Sequence, residues 1–184
     1  GDTDFTSDEA IAYYEDALDE VVKRAPEALR TMHINRGNRT IPLQYLDRLD
    51  FYMFQPGHNY EGQPEAWRLP QDFIANYPKK PMVNSEPCYE QMGASRNVYW
   101  RFTAQDCRAS VWSSILAGAS AGVTYGAHGV WNWQTSKSQG SVLGEGFDMP
   151  FRWQECLQFA GVWDFGAIEH VLAGLGATAG DDAL

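Results

Sequence analysis

The sequence predicts an α/β fold in which parallel strands alternate with helices, and three observations point there. Helical and strand-like patterns alternate along most of the chain, the signature of parallel βαβ units. The stretch Lys80-Pro81-Met82-Val83-Asn84-Ser85-Glu86-Pro87-Cys88-Tyr89-Glu90 is a short apolar run that delivers a carboxylate into a proline-broken loop. Pro87 cannot donate to a ladder and holds its predecessor extended, so Glu86 sits where a strand stops. In a βα barrel the catalytic groups lie at the C-terminal ends of strands, which makes a carboxylate closing a buried strand a candidate for chemistry. Finally, 184 residues suffice for one domain of ordinary size, but a complete eight-fold barrel typically needs about 250.

Taken in order, Thr6-Ser7-Asp8-Glu9 reads as a capping box with Thr6 as N-cap. Ile11, Tyr14, Leu18, Val21 and Ala25 follow at helical spacing, predicting an amphipathic helix over 7–25 that Pro26 stops. Leu29 to Ile34 reads as a strand, with Asn35-Arg36-Gly37-Asn38 as the loop after it. Leu49 to Gln55 is a second strand, closed by Pro56-Gly57 with His58 just past its tip. A short helix is expected over 69–77 with Pro70 near its first turn, leading into the strand that ends at Glu86. Thr103-Ala104-Gln105-Asp106 is a second capping box, with Asp in place of Glu. It opens a helix whose stripe of Cys107, Val111, Ser114, Ile115, Gly118 and Ala119 is rich in small residues and implies close packing. Gly122 ends that helix, and residues 123–133 follow as a glycine-bearing strand and loop. Gln134 to Pro150 is polar and glycine-rich, long enough to be a functional loop. A last helix is expected from about Phe151 to Ala160, resuming at Phe165 to Leu175 before a Gly/Ala/Asp tail.

Charge narrows the function. Fourteen basic against 24 acidic residues leave a formal charge of −10, which argues against phosphate-backbone and anionic membrane partners. Seven Trp exceed what a core of this size needs and suit sugar recognition, where flat rings cover the apolar faces of the ligand. Cys88, Cys107 and Cys156 are odd in number and widely spaced, so neither a disulfide framework nor a CxxC metal site is indicated. The histidines lack the spacing of strong zinc motifs, and no GxSxG elbow, phosphate loop or GxGxxG is present, so no metal and no cofactor are expected. Paired carboxylates fit best. Retaining glycoside hydrolysis needs two carboxyl groups about 5 to 5.5 Å apart. Glu86 is the better-placed one, while Asp2, Asp4, Glu61, Glu90 and Glu145 are all eligible as the second by residue type.

The blocks Asn84-Ser85-Glu86-Pro87-Cys88-Tyr89-Glu90, Trp112-Ser113-Ser114-Ile115-Leu116-Ala117-Gly118-Ala119 and Thr124-Tyr125-Gly126-Ala127-His128-Gly129-Val130-Trp131-Asn132-Trp133 resemble, in this order, the apiosidase-like glycoside hydrolases. The resemblance covers about residues 1–135. It implies that residues 1–184 form a single partial domain, the C-terminal half of a (β/α)8 TIM barrel, a fragment that lacks strands one to four and is inactive by itself. It implies Glu86 as nucleophile at the end of strand seven, and Asp2, in the remnant of a strand-four motif, as acid/base. His33 would close strand five, Gln55 and His58 strand six, and Tyr125, His128, Trp131 and Trp133 would line the strand-eight end. The substrate implied is an oligo- or polysaccharide of plant cell-wall, pectic type, and the parent protein would be secreted or periplasmic. Ser85 departs from the family, which often has Gly before the Glu.

A reading of another class keeps only binding: Tyr89, Trp131 and Trp133 would hold glycans without a carboxylate pair, on a non-catalytic or structural α/β domain. The geometric expectation that separates these readings is that Glu86 shares one rim with His33, His58 and His128.

Overall fold

In a computed structural model the chain is described at residues 5, 7–94, 100–136 and 147–176. Three short strands, β1 (Tyr52–Phe54), β2 (Met82–Asn84) and β3 (Gly122–Val123), form a parallel sheet in chain order. Tyr52 pairs with Met82, Phe54 with Asn84, and Asn84 with Val123. A fourth parallel segment joins the free edge of β1 through a bridge between His33 and Met53. Helices α1 (Asp8–Arg24), α2 (Leu43–Leu46), α3 (Glu65–Asn76), α4 (Ala104–Leu116), α5 (Trp153–Cys156) and α6 (Ala160–Gly174) fill the intervals. The α/β alternation with parallel strands is therefore as the sequence predicts.

The segment expected as a strand over 29–34 narrows to that bridge. Only isolated bridges form there, at His33 and Ile34, and side chains add bonds beside them. Arg30 N–H and guanidinium donate to the Asp50 carboxylate, at 2.7 and 3.0 Å to Oδ2, and Thr31 Oγ1 donates to Phe51 O. The N-cap of α1 is Ser7, whose Oγ accepts from Ala10 N–H at 3.1 Å; Thr6 lies outside the described residues. The strand expected over 49–55 shortens to β1, because Leu49 and Asp50 are drawn into bonds with Tyr45 and Arg30. By contrast, the Thr103/Asp106 box is present and reciprocal. Near the C-terminus the break falls at 157–159, between α5 and α6, rather than after Ala160.

Helix α3 begins four residues before the expected Leu69, so Pro70 lies inside it. A proline there removes the N–H that would bond the carbonyl four residues back, that of Ala66. Ser114 of α4 supplies the missing donor: its Oγ lies 2.9 Å from Ala66 O. The small-residue stripe of α4 thus brings it close to α3, and the close approach satisfies the bond that Pro70 cannot make.

The main core lies between the sheet and helices α1–α3, built from Leu18, Ile34, Tyr45, Tyr52, Phe54, Leu69, Phe73 and Met82 with others. A second cluster of Cys88, Ala94, Phe102 and Cys107 sits beneath the loop after β2. All three cysteines are free and buried. Among the described residues no helix is long and apolar enough to cross a membrane.

Candidate active site

Glu86 stands just beyond β2, with its side chain 23% exposed. Its Oε1 lies 2.8 Å from His58 Nε2 and its Oε2 lies 3.3 Å from His33 Nε2. Each carboxylate oxygen thus has one imidazole neighbour, delivered from the ends of the two preceding strand segments. Gln55 reinforces one arm: its Nε2 donates to Ile34 O at 2.9 Å and lies 3.5 Å from His33 Nδ1. An amide N–H facing Nδ1 favours the tautomer with hydrogen on Nε2, the atom that faces Glu86. Burial raises the Glu86 pKa, but hydrogen bonds from His33 and His58 and the positive charge of those rings outweigh it and hold the carboxyl down to about 2. Glu86 is therefore an anion across the physiological range.

The backbone beneath Glu86 is fixed as firmly as its side chain. Asn84, wholly buried, accepts the Glu86 N–H on Oδ1 at 3.2 Å and donates from Nδ2 to Ser114 Oγ at 2.8 Å. Ser114 passes its own hydrogen toward Ala66 O and toward Ser110 O, at 2.9 and 3.0 Å. One polar chain therefore runs from the amide of Glu86 through α4 to the carbonyl that Pro70 leaves open in α3. On the other side Gly57 N–H donates to Glu86 O at 3.3 Å. Gly57 has φ +77°, and a Cβ there would lie 2.1 Å from Arg36 Cδ, so the turn that presents His58 requires glycine.

Further from Glu86 the predicted residues separate. Tyr89 packs its ring 4.2 Å from that of His58 and fills the space over Gly126, where a Cβ would come within 2.0 Å of it. Tyr125 donates its hydroxyl to Glu90 Oε2 at 2.7 Å, and Gly161 N–H donates to the same oxygen at 2.9 Å. Glu90 is only 4% exposed. It is a buried anchor for the start of α6, and Tyr125 is engaged with it.

His128, expected on one rim with Glu86, His33 and His58, is enclosed. It is fully buried; its Nε2 donates to Asp148 O at 2.8 Å and its Nδ1 accepts from Trp131 Nε1 at 3.1 Å. Desolvation lowers its pKa, and the two partners fit the neutral ring with hydrogen on Nε2. Trp131, stacked on His128 at 11°, and Trp133, stacked on Trp153 at 4.8 Å and 8°, are exposed. Trp133 holds φ +50°, a left-handed geometry that costs an ordinary residue about 1 kcal/mol or more. Asp2, Asp4 and Glu145 lie outside the described residues. Glu61 falls in the 3-10 turn Tyr60–Gly62, beyond His58. Among the described residues no group of three His, Cys, Asp or Glu side chains is placed to hold a metal.

Residues 1–178 match the family model described as Apiosidase-like, catalytic domain. The chain belongs to this family. No curated protein sequence matches it. Among solved structures it is similar to one titled "Glycoside hydrolase", with TM-score 0.74 and 21% identity over 90% of this chain and 40% of the other. It is also similar to a glycoside hydrolase family 5 protein from Bacteroides vulgatus, with TM-score 0.77 and 21% identity over 90% of this chain and 38% of the other. The chain thus spans about two fifths of the length of these structures.

In this apiosidase-like chain, sequence reasoning missed Asn84 and Ser114 as positioning residues. The available signal was Pro70 at helical spacing: a proline inside a helix leaves a carbonyl that some neighbour must satisfy. It also left Glu90 among the eligible catalytic carboxylates. Its burial and its bonds from Tyr125 and Gly161, visible only in three dimensions, give it a structural task.

Proposed function

We propose that the protein is a retaining glycosidase with Glu86 as its nucleophile, acting on a pectic, plant cell-wall type polysaccharide. The observation that carries this reading is the pair of imidazoles on Glu86, which hold its carboxyl down to about 2. A nucleophile must be ionised and a general acid must be protonated, so the depressed carboxylate suits the first role and not the second. Glu86 attacks the anomeric carbon as the bond to the leaving oxygen breaks, forming a covalent glycosyl-enzyme. A second carboxylic acid protonates the leaving oxygen and then takes a proton from the water that releases the sugar. We assign that role to Asp2. His33 and His58 orient the Glu86 oxygens, while Tyr89, Trp131 and Trp133 offer ring faces for sugar, and Gln55 acts through His33.

The sheet described here is the C-terminal half of a (β/α)8 barrel in this reading. The likeness over two fifths of larger glycoside hydrolase structures supports it. The 184 residues alone are then inactive, and the full-length protein acts outside the cytoplasm.

Glu86→Gln in the full-length protein, assayed on pectic oligosaccharides, should lose several powers of ten in kcat. NMR of the first-formed product should show retention at the anomeric centre. Undiminished turnover, or inversion, would overturn the assignment. The exposed faces of Trp131 and Trp133 favour a second reading, non-catalytic glycan binding. Under it no turnover is found, and binding is lost with Trp131→Ala but kept with Glu86→Gln.

A further inference from the structure

A cleft of about 450 Å³ opens between α3 and α4, roofed by the 3-10 turn that follows His58. That volume is in the range of small-molecule sites. None of Glu86, His33 or His58 lines it. Three exposed rings border it: Tyr60, Trp67 and Trp100. Trp100 is held edge-on between Tyr60 and Phe102, with ring centroids 5.6 and 5.2 Å away, so its orientation is set before any ligand arrives. Both walls come from consecutive βα units, and α3 and α4 pack directly against each other.

Its chemistry selects a ligand class. Rings beside hydroxyl, amide and carboxylate groups match a sugar, which presents C–H faces and hydroxyls together. Ser110, in the cleft wall, is 5% exposed, and its Oγ has no hydrogen-bond partner among the described residues. A buried hydroxyl of this kind is normally satisfied, so one unpaired beside a cleft is a place for a ligand or water partner. The lining holds the acidic Glu61 and Asp106 and neither Lys nor Arg, and the whole chain carries −10. Uronates and other anions are therefore disfavoured.

We propose that this cleft is an accessory binding site for neutral oligosaccharide, separate from the Glu86 site and joined to it by the loop that carries His58. Its ligand class rests on the glycosidase reading. Rings and hydrogen-bonding groups here would hold a neutral stretch of glycan near the rim, in the way stacking platforms retain polymeric ligands.

Affinity electrophoresis of the full-length protein tests it, with soluble xyloglucan, galactan, arabinan and arabinoxylan as neutral probes and polygalacturonate as the anionic one. The Glu86→Gln variant should be retarded by at least one neutral probe as strongly as the wild type, and any retardation by polygalacturonate should not depend on the cleft. Trp67→Ala and Trp100→Ala should each weaken that retardation about tenfold. Ser113→Trp, which fills the cleft without removing a core contact, should do the same, whereas Trp163→Ala on α6 should not. Retardation that survives both tryptophan variants and Ser113→Trp, absence of retardation by every neutral probe, or polygalacturonate retardation that the cleft variants weaken would each overturn the proposal. Turnover separates this result from the nucleophile assignment: a full loss in Glu86→Gln with retardation indifferent to the cleft variants sinks the cleft alone. Turnover that Glu86→Gln leaves untouched sinks the nucleophile alone.

Discussion

Ser114→Ala is the most informative substitution in the molecule, because one hydroxyl serves two helices and the backbone of Glu86. Removing Oγ leaves Ala66 O without its donor, since Pro70 has no N–H to offer, and leaves Asn84 Nδ2 without its acceptor. Both atoms are enclosed: Ala66 and Asn84 are each 0% exposed. A buried polar atom deprived of its partner costs about 1–3 kcal/mol, so two of them predict a loss of about 2–4 kcal/mol after partial relaxation. For a domain of this size each kcal/mol lowers Tm by about 2–4 °C, giving a fall of roughly 5–15 °C. The decisive measurement is a double-mutant cycle with Pro70→Ala, read by guanidinium unfolding of the full-length protein. Alanine at 70 restores an N–H to Ala66 O, so Ser114→Ala should cost about 1 kcal/mol less in that background. Additivity of the two substitutions within about 0.5 kcal/mol would refute the shared carbonyl. If kcat nevertheless falls in Ser114→Ala while KM holds, the chain through Asn84 to the Glu86 amide is positional as argued.

The remaining expectations are simpler. The folded pKa of Glu86 lies below its usual value near 4.5, at about 2, so its ionisation stabilises the fold above pH 4.5, and that stabilisation disappears as pH falls toward 2. The difference in unfolding free energy between wild type and Glu86→Gln should thus shrink by about 1–2 kcal/mol between pH 6 and pH 3, a figure discounted for solvent screening; a difference independent of pH would refute the ion-pair account. Tyr125→Phe removes one of the two donors to buried Glu90 and should cost about 1–3 kcal/mol, with hydrogen exchange loosening at the start of α6. Unchanged protection there would mean that Glu90 does not anchor that helix.

How much of this was legible beforehand depends on the distance over which each feature is decided. The Thr103/Asp106 box is settled within four residues and reads directly from the chain. The strand before Pro87 reads from the chain as well, though it ends at Asn84, two residues before the expected Glu86. The start of α3 is not local. Pro70 suggested a first turn, yet helix continues through it, because α4 lies close enough to donate to Ala66 O. The segment at His33 narrowed for a related reason: its side chains suit a strand, but only isolated bridges form at His33 and Ile34, and bonds to Asp50 and Phe51 supplement them.

The candidate site divides along the same line. Glu86, His33 and His58 were legible because strand ends in a parallel sheet converge wherever the strands are adjacent, and adjacency follows from chain order. His128 stands after the next strand in that order, but the chain returns over it at Asp148 to close Nε2, while its near neighbour Trp131 closes Nδ1. Topology therefore predicts which residues reach the rim, while returning loops decide which remain available there. The same argument explains the assignment of roles to the two carboxylates after β2. Glu86 meets two imidazoles and keeps part of its surface open to solvent, as its proposed role of nucleophile requires. Glu90, four residues later and chemically identical, is buried and meets a phenol and a helix amide, and through those two bonds it holds two elements together.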